Sequence, residues 1–215
     1  MKTTTLTDNI YQALKDDILE LRLKPGEKVS EVSLSNRFQV SRAPIRQALA
    51  KLAQEELIII KPQIGTIVSS IPEAKILEIL QIRLLLEPYA AEEAAKKINK
   101  EDLELLKESF RRFEASFLRN EESKKIYFET DSQLHRIIWK SCGNSEIKNI
   151  LENYRNEINR IRISNTDLGE RMVPTAEEVR NIYSAILKRS PEESRAAMHK
   201  HILNIKEAVE GIIKV

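Results

Sequence analysis

Disulfide chemistry is closed to this chain, because its only cysteine is Cys142 and one thiol cannot form an intrachain bridge. Glycine is almost as scarce: five residues scattered over 215 positions form no loop able to cradle a phosphate. No apolar run reaches membrane-spanning length and no signal peptide is evident, so a soluble cytoplasmic protein without a membrane partner is expected. Net charge is nearly absent too, with 35 Lys+Arg against 33 Asp+Glu, so bulk charge does not point to nucleic acid. Internal repeats and low-complexity tracts are also missing.

Charge is present locally. Between residues 28 and 51, Lys28, Arg37, Arg42, Arg46 and Lys51 face only Glu31, which makes a focused positive footprint. Within it, Ile45, Ala48, Leu49 and Leu52 recur at i, i+3, i+4 and i+7, while Arg42, Arg46, Gln47 and Lys51 fall largely on the other side. One face packs and the other is free to touch a partner. Ser41 is placed to cap this helix, and Pro44 sits in its first turn, where a missing N–H costs little.

Upstream, residues 30–38 form a shorter amphipathic helix with Val32, Leu34 and Phe38 as expected buried positions and Ser30 or Ser33 as cap. Gln39 and Val40 are the turn joining the two helices. A supporting first helix carries the apolar stripe Ile10, Ala13, Leu14, Ile18, Leu19 and Leu21, ending near Lys24-Pro25-Gly26. Downstream, two β-branched runs around Pro62 and Gly65 read as a hairpin over residues 57–68. Helix, helix-turn-helix and hairpin make a winged helix.

Leu-Lys-Pro-Gly-Glu-Lys-Val at 23–29, Val-Ser-Arg-Ala-Pro-Ile-Arg-Gln-Ala-Leu at 40–49 and Gly-Thr-Ile-Val at 65–68 together resemble the GntR family of bacterial transcription regulators. The resemblance implies that Arg42 and Arg46 contact phosphates and guanine edges in the major groove, with Ser41, Gln47 and Lys51 beside them. It also implies that Gly65 lets the wing tip approach the minor groove. Three positions depart from the family pattern. Val32 stands where some relatives place an arginine, Gln39 replaces a turn glycine, and Glu56 replaces the glycine that usually ends the recognition helix. An arginine fork can pair guanine O6 and N7 or hold phosphates that carry no sequence information, and the sequence leaves both roles open for each arginine.

The chain changes character after Ser69-Ser70-Ile71-Pro72, which is read as a linker between residues 1–70 and a second domain over 73–215. This second part is a run of helical periodicities. The first, over 73–97, carries Ile76, Ile79, Leu80, Leu84 and Leu86, with Pro88 expected to kink it. Asn99, with Asp102 three residues on, caps a second helix bearing Leu103, Leu106, Phe110, Phe113 and Phe117. A third spans about 123–141, and after Gly143-Asn144 a fourth reaches about Ser164. Thr175-x-x-Glu178 and Ser190-Pro191-x-Glu193 are capping-box signatures for two last helices. The expected fold is thus mainly α, a winged helix followed by an all-α bundle of six helices. Trp139 and Tyr127 are expected in its core.

This bundle is similar to the ligand-sensing FCD domain of the FadR branch of the GntR family, and the resemblance then covers nearly the whole chain. Asp131 and His135 are spaced i, i+4 on one helix face, and His201 can join them. The resemblance implies that these three ligate a divalent metal (Zn, Ni or Mn), with the family's remaining histidine replaced at Val179. A buried hydrogen-bonded Asp131–His135 pair with His201 in a polar core network is the competing reading. His199 lies roughly 200° around the helix from His201 and is expected at the surface. Arg83 matches a family position that binds an effector carboxylate bidentately, and an i, i+4 salt bridge to Glu87 is its simpler use. Asn144 matches another recurrent effector-site position, with a plain helix cap as the alternative.

The function implied is a regulator that binds palindromic double-stranded operator DNA as a homodimer, under control of a small organic-acid effector. A metal-dependent enzyme with a DNA-binding appendage is a different reading of the same residues. It has no general base in a His-Glu-x-x-His arrangement, so no enzymatic activity is expected. A ligand-blind DNA-binding regulator is the third reading.

Overall fold

The computed structural model describes residues 5–116, 121–166 and 172–213, so Phe117 lies outside the described residues. They form ten α-helices and three short strands in two compact units that meet at Pro72 and Glu73.

The first unit opens with α1 (Leu6–Leu19), started by a capping box in which Thr5 accepts from the Asp8 N–H and the Asp8 side chain accepts in return. Leu21 falls beyond the helix in a left-handed turn, so it does not extend the α1 stripe. The strand β1 (Lys28–Val29) follows, then α2 (Glu31–Phe38) and α3 (Arg42–Gln54). Ser30 caps α2 by accepting from the Ser33 N–H. Gln39, its C-cap, has φ 56°, and Glu56 after α3 has φ 57°. Both occupy the left-handed backbone that glycine adopts without cost.

β2 (Ile58–Lys61) and β3 (Gly65–Val68) make the wing, pairing antiparallel from Ile58 opposite Val68 to Lys61 opposite Gly65. β1 adds to the other edge of β3, giving the order β1-β3-β2. This strand escapes a periodicity reading because two residues carry no alternation. Ile10, Leu14, Ile18, Leu34, Ile45, Leu49 and Leu52 close the core beneath the sheet. Phe38 is half-buried at its margin. Val32, expected inside, is exposed. Two residues before Leu34, it lies far around the helix from the one buried side chain of α2.

The second unit contains α4 (Glu73–Lys97), α5 (Lys100–Ser116), α6 (Glu121–Ser141), α7 (Ser145–Asn153), α8 (Arg155–Thr166), α9 (Met172–Leu187) and α10 (Pro191–Ile213). The expected six helices become seven because the fourth is interrupted at Tyr154. α4 runs through Pro88 without a break and packs most extensively on α10. The buried Ala90, Ala91, Ala94 and Ala95 leave room for a close approach. Asn99 caps α5 as expected, its Oδ1 accepting from the Asp102 N–H at 2.7 Å. Ser190 immediately precedes α10. Thr175 does not open α9, which already begins at Met172 with Pro174 in its first turn. Trp139 and Tyr127 are buried in the core. Among the described residues no helix is long and apolar enough to cross a membrane.

Candidate functional sites

The candidate recognition surface is the outward side of α3. Ile45, Ala48, Leu49 and Leu52 are buried, which leaves Arg42, Arg46, Gln47 and Lys51 exposed along the other side. Ser41 is the N-cap residue by backbone geometry, but its hydroxyl makes no capping hydrogen bond and it stays exposed. Arg42 has no partner among the described residues. Arg46 is held by Glu31, the first residue of α2, whose two oxygens lie 3.0 and 2.9 Å from its Nε. Lys51 pairs with Asp8 at 2.6 Å, and Gln47 accepts from the Thr7 hydroxyl at 3.1 Å. These two side chains are therefore engaged by the N-terminus of α1. The Lys51 hydrogen bond, with those from Thr5, brings the exposed Asp8 carboxyl down to about 2. Gly65 is exposed at the start of β3 with φ 109°, a backbone no L side chain favours, and nothing crowds its missing Cβ.

A second site lies inside the helical unit. Asp131 and His135 on α6 and His201 on α10 are all buried and bring one ligand atom each within 4.8 Å of one another. His135 Nε2 stands 3.4 Å from Asp131 Oδ1, and it makes no hydrogen bond. The close partner of His135 is instead Glu87 on α4, whose Oε2 meets Nδ1 and also accepts from Trp139 Nε1 at 3.3 Å. On the other side, Glu178 on α9 lies 3.0 Å from His201 Nδ1 and accepts from Asn204 at 2.6 Å. A carboxylate can only accept, so each pair places the ring proton on Nδ1 and leaves Nε2 as a lone-pair donor. Both Nε2 atoms are buried without a hydrogen-bond partner. Burial pushes the His201 imidazole below its ordinary value, against the Glu178 hydrogen bond, so the neutral ring is favoured at neutral pH.

Arg83 completes the cluster. It is fully buried, and its Nε donates to Glu87 Oε1 at 2.6 Å, so the i, i+4 ion pair is present. Its two terminal nitrogens, also buried, have no partner among the described residues. Its charge lies near enough to His201 to oppose protonation of that ring. Leaving such donors unpaired costs about 1–3 kcal/mol each, more for a charged group.

The residue of α9 that reaches His201 is thus Glu178 and not Val179, which is wholly buried as an apolar core side chain. One residue is about 100° of helix, so the two side chains point in different directions. Asn144 is not part of the cluster: it is exposed, and its Oδ1 caps α7 by accepting from the Glu146 and Ile147 N–H groups. His199 is exposed, as its spacing from His201 requires. Glu87 was legible only as the i, i+4 partner of Arg83, and Glu178 only as part of a capping signature; neither reading pointed to a histidine. Their i, i+4 and cross-helix partners, all wholly or largely inside the bundle, would have been the only pointer.

Residues 6–68 match the family model for bacterial regulatory proteins of the gntR family, and residues 78–204 match that for the FCD domain. Over 210 residues the chain is 29% identical to the HTH-type transcriptional repressor RspR of Escherichia coli K12, covering 98% of this chain and 91% of that protein. Its fold is similar to that of E. coli McbR/YncC, with a TM-score of 0.77 at 17% identity, covering 98% of this chain and all of the other. The metal-free FCD domain of TM0439 superposes with a TM-score of 0.54 at 21% identity, covering 68% of this chain and all of that domain. With its winged helix in one unit and its helical bundle in the other, the chain belongs to the GntR family of bacterial transcription regulators, as a DNA-binding regulator with a ligand-sensing FCD domain.

Proposed function

We propose that this regulator is a repressor whose affinity for a palindromic operator is set by a divalent metal and a small organic acid bound in the Asp131, His135, His201 and Arg83 cluster. The observation that carries the proposal is the set of buried, unpartnered donors: Nε2 of both histidines and the two terminal nitrogens of Arg83. Two imidazole nitrogens and one carboxylate oxygen are a fitting donor set for zinc, and suit nickel or manganese as well. A bound dication supplies a positive centre that an effector carboxylate can ligate. Asp131, His135 and His201 hold it; Glu87 and Glu178 keep the ring protons on Nδ1 and fix both ring planes. Arg83 offers its planar fork to the effector, with Nε already fixed by Glu87. The resident protein of such a site works in the cytoplasm as a homodimer, each subunit placing α3 in one major groove, because a palindrome is matched by a two-fold protein. Repression is supported by the name of the E. coli relative.

The test is elemental analysis of the purified protein followed by thermal unfolding with zinc, nickel or manganese, each with and without a panel of small carboxylates. A metal and an acid that each raise the midpoint by roughly 5–10 °C at ligand concentrations near a hundred times Kd are expected. Unfolding that is indifferent to every metal and acid tried would leave a ligand-blind regulator.

A further inference from the structure

We infer that Glu31 is the residue that gives the recognition helix its base specificity, by holding Arg46 so that only the end of its guanidinium faces a guanine. Four polar side chains line the outward side of α3, and the structure treats them differently. Lys51 and Gln47 are engaged by Asp8 and Thr7 of α1, and Arg42 has no partner among the described residues. Arg46 alone is gripped from α2, through its Nε only, by both oxygens of one carboxylate. Its two terminal nitrogens have no partner among the described residues, although the side chain is 65% exposed.

An exposed ion pair of this kind adds little to stability, so its consequence is positional. An arginine on a flexible stem can reach any nearby phosphate, which gives affinity without sequence information. With Nε occupied, the remaining fork is the pair of terminal nitrogens, whose N–H groups can pair guanine O6 and N7 in the major groove. Glu31 is well placed for this. It occupies the first turn of a capped helix, where a carboxylate is favoured by the helix dipole, and its side chain is only 32% exposed. Its negative charge also repels phosphate, which discourages the sequence-blind contact. Arg42, lacking such a holder, is left to the backbone.

The experiment is selection of binding sites from a randomised duplex pool by the full-length protein, for wild type, Glu31→Ala, Glu31→Gln and the exposed charge control Glu56→Gln. Arg46→Ala, alone and combined with Glu31→Ala, completes the set. Wild type is expected to select guanine at one position in each half-site. Glu31→Ala keeps DNA binding but loses discrimination there by roughly fivefold or more. Glu31→Gln still accepts from Nε and retains most of it, which separates the hydrogen bond from the charge. Glu56→Gln selects the wild-type sequence, and in the Arg46→Ala background the Glu31 change has no further effect at that position. An unchanged selected sequence in Glu31→Ala overturns the inference, as does a loss in Glu31→Gln as large as that in Glu31→Ala. So does an equal loss in Glu56→Gln, which would reduce the effect to net charge. A Glu31 effect that persists without Arg46 overturns it as well, since Glu31 would then be reading a base itself.

Discussion

Replacing Glu178 by alanine tests whether the FCD cluster is organised for metal. Glu178 lies 3.0 Å from His201 Nδ1 and accepts from the half-buried Asn204 at 2.6 Å. Its removal leaves the Nδ1–H of a histidine that is 1% exposed without an acceptor, at a cost of about 1–3 kcal/mol. It also frees the ring that aims Nε2 at Asp131 and His135. Loss of an orienting partner of this kind typically weakens metal binding about 10–100-fold, or about 1.4–2.7 kcal/mol. Zinc affinity measured at constant pH by competition with a fluorescent chelator is therefore expected to fall by that factor. Urea unfolding in excess chelator should show a loss of about 1–3 kcal/mol. Val179→His is the companion variant: it adds an imidazole one residue away, where the wild-type side chain is fully buried in apolar packing, and it is expected to destabilise without tightening zinc. Zinc affinity unchanged by Glu178→Ala but abolished by His201→Ala would refute the reasoning, because His201 would then need no partner to hold it. Tighter binding by Val179→His would restore Val179 as the pocket position.

Three further outcomes follow from other parts of the molecule. Arg83→Lys keeps a charge but loses the planar fork, so affinity for a stabilising carboxylate is expected to fall about 10–100-fold while zinc binding persists; equal carboxylate affinity in thermal titrations would remove Arg83 from the effector site. Burial raises the Asp17 carboxyl, but hydrogen bonds from Arg37 and Arg22 outweigh it and hold the group below its ordinary value. Its contribution is therefore present above the unfolded value near about 3.9 and is lost as pH falls through the folded value. Urea unfolding of the winged-helix unit should weaken below about pH 4 in wild type. Asp17→Asn should cost about 1–2 kcal/mol at neutral pH and flatten that acid limb, whereas an identical acid limb would exclude Asp17 as its source. Gln39→Gly, at φ 56°, should stabilise by about 0.5–1 kcal/mol, and a loss in chemical unfolding would show that the Gln39 bond to the Asn36 carbonyl outweighs the backbone cost.

The winged helix was legible because its signals are local: a packed face on α3 at 3.6-residue spacing, a cap at Ser30, a hairpin around Pro62 and Gly65. Even the departures at Gln39 and Glu56 were informative, since both backbones are left-handed. The buried trio of Asp131, His135 and His201 was legible for a similar reason, two of its members being one helical turn apart. Its supporting carboxylates were not. Glu87 and Glu178 act across α4, α6, α9 and α10, and their contacts with His135 and His201 cannot be read until those helices pack. The same reasoning explains why Glu178, next to Val179, carried no mark of its contact with His201. It also explains Lys51 and Gln47, whose engagement by α1 depends on residues about 40 positions away.

The most direct test of the sensor reading is the dissociation constant for a selected duplex, measured by fluorescence anisotropy on zinc-loaded protein with and without the carboxylate that stabilises it most. A coupling of about 1–3 kcal/mol is expected, a shift of roughly 5–150-fold, and it should vanish in Arg83→Lys. A dissociation constant that stays the same while the carboxylate demonstrably binds would contradict the account, because the buried cluster would then have no hold on the recognition helix.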